Sequence, residues 1–249
     1  MTYSLIIPAY NESNRIRPTL DSILRHIEQQ KWDAEILVVD DGSRDDTPDI
    51  IRDYARRYHE VRLVQNPGNH GKGFSVRNGM LHANGDICLF TDADLSSPIT
   101  EAHKLFEAIR AGADIAIGSR WLDPALQTER QPLYRQAFGR IFNLLLRLFL
   151  GVHFKDTQCG FKAFRREAVG KIFPLQRIER WGFDPEILFL ARRMGLRTVE
   201  VPVVWAHSEG TRLHPFRDGF RMFGDILQIR WNAMTGVYNA PAVPSPRSL

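Results

Sequence analysis

Short apolar runs that end in polar or acidic residues recur through the first half of this sequence, and they restrict its fold more than any other feature. Ser4–Pro8 leads into Asn11 and Glu12, and Ile36–Val39 into Asp40-Asp41. Ile87–Phe90 leads through Thr91 into Asp92-Ala93-Asp94, and Ile115–Ile117 into Gly118-Ser119-Arg120. Runs this short, without polar alternation, read as strands buried on both faces, the habit of a parallel sheet. Val61–Val64 is a further strand of the same kind. Between the strands lie helical patterns. Leu20, Ile23, Leu24 and Ile27 share one face of a helix starting near Pro18. Ile50, Ile51, Tyr54, Ala55 and Tyr58 follow Thr47-Pro48, a hydroxyl cap with proline at the first helical position. Shorter helices are expected near Ser75–His82 and over Ile99–Ala111. Strands and helices alternating at this spacing imply parallel βαβ units. The expected fold class is therefore α/β, Rossmann-like, with a mostly parallel sheet and helices on both faces.

Ligands in such sheets sit beyond the carboxyl ends of the strands. That crevice would collect Glu12, Asp41, Asp92 and Asp94. Carboxylates that close together repel unless a cation joins them, and hard oxygen donors suit Mg²⁺ or Mn²⁺. An ion so held would meet a diphosphate. The plainer reading of the same residues is an acidic loop after a strand. Asp40 and Asp41 also suit the start of a helix, where the dipole favours acids. Gly71-Lys72-Gly73 invites a phosphate-loop reading but lacks the G-x-x-x-x-G-K-[ST] spacing, and reads equally as a flexible turn with a solvated lysine.

The pattern changes from Trp121. Residues 121–137 read as a polar, aromatic loop with Pro124 and Pro132. Phe138–Leu150 reads as an amphipathic helix with Arg140, Asn143 and Arg147 along one narrow polar stripe. Residues 156–162 read as a polar turn, followed by helices over Arg166–Phe173 and Pro185–Met194 and a strand over Val199–Trp205. Phe216–Met234 is a second amphipathic helix, with Phe216, Phe220, Phe223, Leu227, Trp231 and Met234 on one side and Arg217, Arg221 and Arg230 accompanying them. Either helix can pack on the sheet or lie in a bilayer interface with its basic residues toward headgroups. The expected layout is one domain over 1–235, with a nucleotide-binding half (1–120) and an acceptor half (121–235). A disordered tail, rich in Pro, Ser and Ala, follows over 236–249.

The 249 residues carry a net charge of +4, a mild preference for anions with no strand-borne basic and aromatic patch, so nucleic acid is not an expected partner. Only Cys88 and Cys159 are present, in separate segments, which fits a reducing compartment better than a disulfide scaffold. A strand beginning within five residues of Met1 leaves no room for a signal peptide. No stretch reaches the roughly 20 apolar residues of a spanning helix. The expected location is the cytoplasm, peripheral on the cytoplasmic face of a membrane.

Five motifs in order carry a resemblance: Pro8-Ala9-Tyr10-Asn11-Glu12, Val39-Asp40-Asp41-Gly42-Ser43, Asp92-Ala93-Asp94, Gly118-Ser119-Arg120 and Asp156-Thr157-Gln158-Cys159-Gly160-Phe161-Lys162. They resemble the inverting glycosyltransferases of family 2 with the GT-A fold, and within them the dolichyl/polyprenyl-phosphate sugar synthases. Trp181-Gly182-Phe183-Asp184 and Glu209–Phe216 are more similar to the dolichyl-phosphate β-glucosyltransferases than to the mannosyl branch. The resemblance implies UDP-glucose as donor, a polyprenyl phosphate as acceptor and Mg²⁺ or Mn²⁺ as cofactor. GDP-mannose as donor and a soluble hydroxyl as acceptor remain alternatives. By position, it implies that Pro8, Ala9, Tyr10 and Glu12 hold the nucleoside, and that Val39 and Asp41 recognise base and ribose. Asp92, Ala93 and Asp94 form the diphosphate and metal motif, with Asp94 the direct ligand and Ser96 where mannosyl relatives have a glutamine ligand. Arg120 and Arg135 match positions that meet the acceptor phosphate, and Arg212 stands for a lysine beside the donor phosphates.

Overall fold

A computed structural model describes residues 1–126, 133–206 and 215–239. Its strands are β1 (Tyr3–Ala9), β2 (Ala34–Asp40), β3 (Val61–Gln65), β4 (Ile87–Thr91), β5 (Ile115–Ser119), β6 (Phe161–Arg165) and β7 (Thr198–Pro202). They form one sheet in the order β3-β2-β1-β4-β6-β5-β7. All neighbours are parallel except β6, which is antiparallel to both β4 and β5. The register pairs Pro8 with Val39, Ala9 with Asp40 and Ile6 with Phe90. The carboxyl ends of β1, β2 and β4 therefore open side by side.

The helices are α1 (Ile16–Gln30), α2 (Thr47–Arg57), α3 (Lys72–His82), α4 (Ala102–Arg110), α5 (Leu133–Leu150), α6 (Arg166–Ile172), α7 (Phe183–Arg193) and α8 (Pro215–Met234). Side chains alternate across a strand, so each strand feeds two cores. Leu5, Ile7, Ile36, Val38 and Leu89 pack with Leu20 and Ile23 of α1, Ile51 of α2 and Phe106 of α4. Ile6, Leu37, Val39, Cys88 and Phe90 pack on the opposite face with Met80 of α3, Leu146 of α5, Val169 of α6, Ile187 of α7 and Ile226 of α8. The α/β class with helices on both faces is borne out.

Four local expectations change. Residues 161–165 are a strand, not the continuation of a turn, and they separate β4 from β5. Lys162 and Arg165 hid it, because neither is a residue expected in the middle of a sheet. Helix α3 begins at Lys72, three residues before Ser75, and α5 begins at Leu133 rather than Phe138. Thr47 is the first residue of α2 rather than its cap. Its hydroxyl donates to Asp45 Oδ1 (2.6 Å) and accepts the Glu12 N–H (2.8 Å), tying α2 to the loop after β1. The disordered tail expected over 236–249 lies mostly outside the described residues; Val237–Asn239 form a single 3-10 turn.

Helix α3 lies unusually close to the sheet, and Gly79 permits it. A Cβ at Gly79 would stand 2.5 Å from Ile6 Cγ2 and 2.9 Å from Val39 Cγ2. Replacing a mid-helix glycine by alanine ordinarily stabilises by about 0.5–1 kcal/mol. Here the overlap reverses the sign. Gly79→Ala should lower unfolding stability by about 1–3 kcal/mol, the cost of overpacking. Gly170→Ala, on the open side of α6, should be neutral or stabilising. Urea unfolding of the two variants checks the contrast; equal midpoints would remove the close-packing argument.

Candidate active site

The site is built where β1, β2 and β4 end. Asp92, Ala93 and Asp94 follow β4 directly, in a turn closed by the Leu95 N–H on the Asp92 carbonyl (3.1 Å). Leu95 has φ of 48°, a left-handed conformation that a branched residue seldom takes without support. The support comes from both sides. Thr19 of α1 donates its hydroxyl to the Ala93 carbonyl (2.6 Å), and the Ala206 N–H donates to the Ser96 carbonyl (2.8 Å). The turn is thus held rigidly, with its two acids presented differently.

Asp94 accepts from both the backbone N–H and the hydroxyl of Ser96 at Oδ1, each at 2.9 Å. Its Oδ2 faces a small cleft lined by Arg15, Pro18, Thr19 and Leu95, with Arg15 Nη1 at 4.0 Å. Ser96 therefore orients Asp94: its hydroxyl proton goes to that carboxylate, while the lone pairs of its oxygen stay available to a cation. Asp92 is engaged at Oδ1 by the Lys72 ammonium at 2.5 Å. Gly160 lies against the other oxygen, so close that a Cβ there would overlap Asp92 Oδ2. The glycine of the 156–162 motif is what lets Asp92 sit in the crevice.

Lys72 is the residue that sequence reasoning missed. It is not a solvated turn lysine but the first residue of α3, with its side chain only 16% exposed. Burial works against its charge, yet Asp92 and Asp184, with Asp94 farther off, hold its pKa above the ordinary lysine value. The flanking Gly71 and Gly73 are as informative as the lysine. A Cβ on either would run into the backbone of residues 178–180. The Gly-Lys-Gly signal was present, and only its phosphate-loop spacing was absent.

Behind Lys72 lies a second pair. Lys162, in the middle of β6, is completely buried, ion-paired to Asp184 and donating to the Cys159 carbonyl (2.6 Å). Burial pushes the Asp184 carboxyl up, and the neighbouring lysines 162 and 72 only partly restrain it. Asp156 is likewise committed. It receives the Arg120 N–H (3.0 Å), Nε (2.6 Å) and Nη2 (2.8 Å). Burial pushes its carboxyl up, but Arg120 outweighs that and leaves it below the usual range, the wrong direction for a general base. The loop carrying Asp156 is fixed by Glu200 of β7, which accepts the N–H groups of Lys155 and Asp156 at 2.9 Å. Glu200 was not among the expected site residues.

Other expected residues divide. Pro8, Ala9, Tyr10 and Glu12 stand at the end of β1, and Glu12 receives Arg15 Nε (2.6 Å) and Nη2 (3.0 Å). Val39 is fully buried, its side chain in the core against α3, so only its backbone edge lies near the crevice. Asp41 faces the loop before α3: Oδ1 accepts Asn66 Nδ2 (2.7 Å) and the His70 N–H (3.0 Å), and Oδ2 the Gly71 N–H (2.7 Å). It clamps the loop that delivers Lys72. Arg120 also stacks over Trp205, at 5.3 Å from the ring centroid. The side chain of Arg135 and all of Arg212 lie outside the described residues.

Among the described residues no three His, Cys, Asp or Glu converge as a cage for a metal ion. Asp94 Oδ2 with Asp92 beside it nonetheless fits a hard cation completed by diphosphate oxygens and water, the usual way Mg²⁺ is held.

The outer faces of α5 and α8 complete the picture. They pack together, with Phe149 edge-on to Phe223 at 6.1 Å. Leu146 and Leu150 of α5 and Ile226 and Ile229 of α8 face the core. Leu144, Leu148 and Phe149, and Leu227, Trp231 and Met234, are exposed, Leu148 and Met234 at 71%. The stripe of aromatic and aliphatic residues on α8 is thus the outward side where it is described. The polar stripe of α5 divides: Asn143 binds the Lys155 carbonyl (2.6 Å) and the Thr157 hydroxyl (3.1 Å), while Arg147 is exposed. Among the described residues no helix is long and apolar enough to cross a membrane.

Comparison with known proteins places this geometry. The model of glycosyl transferase family 2 matches residues 4–173. A dolichyl-phosphate β-glucosyltransferase of Trichomonas vaginalis is 41% identical over 238 residues, covering 91% of this chain and 70% of that protein. The dolichyl-phosphate β-glucosyltransferase of Saccharomyces cerevisiae is 35% identical, covering 94% of this chain and 76% of its own length. The fold is shared with glucosyl-3-phosphoglycerate synthase of Mycobacterium tuberculosis, solved with Mn²⁺, UDP and glucosyl-3-phosphoglycerate. The TM-score is 0.69 at 22% identity, covering 92% of this chain and 80% of that one. With its sheet, its acid turn after β4 and these relatives in agreement, the chain belongs to glycosyl transferase family 2, on the dolichyl-phosphate β-glucosyltransferase branch.

Proposed function

We propose that this protein is a hexosyltransferase that moves glucose from UDP-glucose to the phosphate of a polyprenol such as dolichol, with inversion, at a membrane surface. What carries the reading is the acid turn of Asp92 and Asp94 with Lys72 set against it, in a chain this similar to dolichyl-phosphate β-glucosyltransferases. Residues 1–235 act as one catalytic unit, since β6 and β7 complete the sheet that β1–β5 begin.

The nucleoside lies at the end of β1, along Pro8, Ala9, Tyr10 and Glu12, with the backbone edge of Val39 and the clamped Asp41 loop beside it. Asp94, with Asp92 beside it, would hold a Mg²⁺ or Mn²⁺ ion, and the chemistry such an ion would supply there is Lewis-acid stabilisation of the diphosphate leaving group. Lys72 supplies a second positive charge on the same side, fixed in advance by Asp92 and Asp184, and Arg212 adds a third. The acceptor phosphate, with a second pKa of about 6, is largely ionised at neutral pH and is its own nucleophile. Neither Asp156 nor Asp184 is then required as a base. Arg120, anchored on Asp156, and Arg135 draw the acceptor phosphate into line behind the anomeric carbon. Attack from that side breaks the bond to the diphosphate and inverts an α-linked donor to a β-linked product.

The exposed side of α5 and α8 meets the bilayer interface, where the polyprenyl chain resides. Its apolar residues are accompanied by exposed Arg147, Arg221 and Arg230, the composition of an interfacial helix. The cytoplasmic face is the reading that two unpaired, buried cysteines favour.

Purified protein incubated with Mg²⁺, polyprenyl phosphate and labelled UDP-glucose should pass label into the organic phase; no lipid product from any nucleotide sugar would end the reading. Asp94→Asn and Lys72→Met should each lower kcat by about 10²-fold or more with the unfolding midpoint kept, the scale of losing one preorganised charge in a site. Retained turnover would remove the residue concerned from the donor site. The membrane contact is read by liposome flotation. Leu148→Asp with Trp231→Asp, both exposed positions, should abolish flotation without altering thermal stability. Equal flotation of variant and wild type would reject the α5–α8 face.

A further inference from the structure

The loop before α7 packs on the first turn of α3, and one buried carboxylate organises that packing. Glu186, in the first turn of α7, is fully buried. It accepts the Arg177 N–H at 2.9 Å, the Ile178 N–H at 2.8 Å and the Tyr238 hydroxyl at 2.7 Å. Burial pushes its carboxyl up to about 7, and these three donors pull in the opposite direction. The segment so held reaches directly to α3. Gln176 donates Nε2 to the carbonyls of Gly73 (2.9 Å) and Ile178 (3.0 Å). The Phe74 N–H donates to the Glu179 carbonyl at 2.9 Å. Gly71 and Gly73, on either side of Lys72, lack side chains where the backbone of residues 178–180 passes. The Trp181 ring lies 5.5 Å from the Lys72 ammonium. The end of α7 nearest this segment is anchored on α8, where the Gly182 N–H binds the Asp225 carboxylate.

We infer that Glu186 is a positioning residue for the donor side of the site: it holds residues 177–178 so that the loop 176–181 seats Lys72 on Asp92. Tyr238, in the turn after α8, completes the same contact. The C-terminal helix is thereby linked to the lysine through two connections, Asp225 to Gly182 and Tyr238 to Glu186. This deepens the glucosyltransferase reading and rests on it only for the kinetic arm of its test. The seating of Lys72 can be read without turnover.

The experiment compares wild type with Glu186→Gln and Tyr238→Phe. A glutamine keeps the shape but turns an amide N–H₂ toward N–H donors, so one contact must be released. Lysine footprinting with acetic anhydride, read by mass spectrometry, reports Lys72 directly, with exposed Lys31 and Lys171 as internal references. Lys72 labelling should rise about threefold or more in Glu186→Gln and less in Tyr238→Phe, with the references unchanged, as expected when a local contact opens without global unfolding. The kcat for glucose transfer should fall about tenfold with the KM for UDP-glucose within about twofold, a partial form of the loss expected on removing Lys72, because a charge that acts on the departing diphosphate is felt in turnover. A purely structural role would lower the melting temperature and leave Lys72 labelling in step with the references. That outcome overturns the inference, in Glu186→Gln if it folds and otherwise in Tyr238→Phe. Altered Lys72 labelling in a protein that transfers no glucose would reject the proposed function and leave the positioning intact.

Discussion

A lysine with no exposed surface sits in the middle of the sheet, and the site depends on how its charge is answered. Lys162 pairs in register with Phe90 on one side and Ile117 on the other, and its ammonium lies 5.3 Å from the Phe90 ring centroid. An isolated ammonium there would be untenable, since burying an unpaired charge costs several kcal/mol even after relaxation. Asp184 answers it, which fixes the start of α7 beneath the crevice. Asp184 in turn acts on Lys72, and Lys72 on Asp92. Two lysines and two aspartates thus balance one another between the sheet and the rim. The inner pair is sealed, whereas Lys72 and Asp92 are 16% and 35% exposed at the side chain. The interior pair is scaffold; the rim pair is the one a ligand can reach, as the proposed diphosphate and cation require.

This layout explains why the acid turn was legible in the sequence and its partners were not. Asp92 and Asp94 follow an uninterrupted apolar strand, and an acid at the end of such a strand is visible by position alone. β1, β2, β4 and β5 are legible for the same reason. β6 is not, because its central residue is the buried Lys162, which local pattern reads as polar and tertiary pairing makes tolerable. Lys72 was obscured differently. Glycines at 71 and 73 signal flexibility in a local reading, but in the fold they mark where a second segment passes against the backbone. On α8 Leu227, Trp231 and Met234 face outward, a direction open in the sequence because an amphipathic helix offers the same pattern to a core and to a bilayer. The inward residues are Ile226 and Ile229, on the side of the helix opposite Leu227 and Trp231.

The second half of the chain therefore cannot be regarded as concerned with the acceptor alone. Gly160 makes room for Asp92, Asp184 contributes to the charge on Lys72, and residues 178–180 pass against the glycines beside it. Each lies beyond residue 150, yet each acts on the crevice at the end of β4. The antiparallel insertion of β6 is the cause. By entering the sheet between β4 and β5 it carries the 156–162 motif back across the carboxyl end of β4, and the chain leaving β6 returns to α7 below the same point. A crevice assembled in this way is in contact with segments from both halves of the chain. α5 follows the segment after Arg120, and α8 is tied to α7 at Gly182 and Glu186. The two helices with exposed apolar faces are accordingly both connected to the loops around Asp156 and Lys72, α5 directly through Asn143 and α8 by way of α7. If that face rests on a lipid surface, the elements that meet the membrane are tied through Asn143 and Asp225 to the loop carrying Asp156 and to the start of α7.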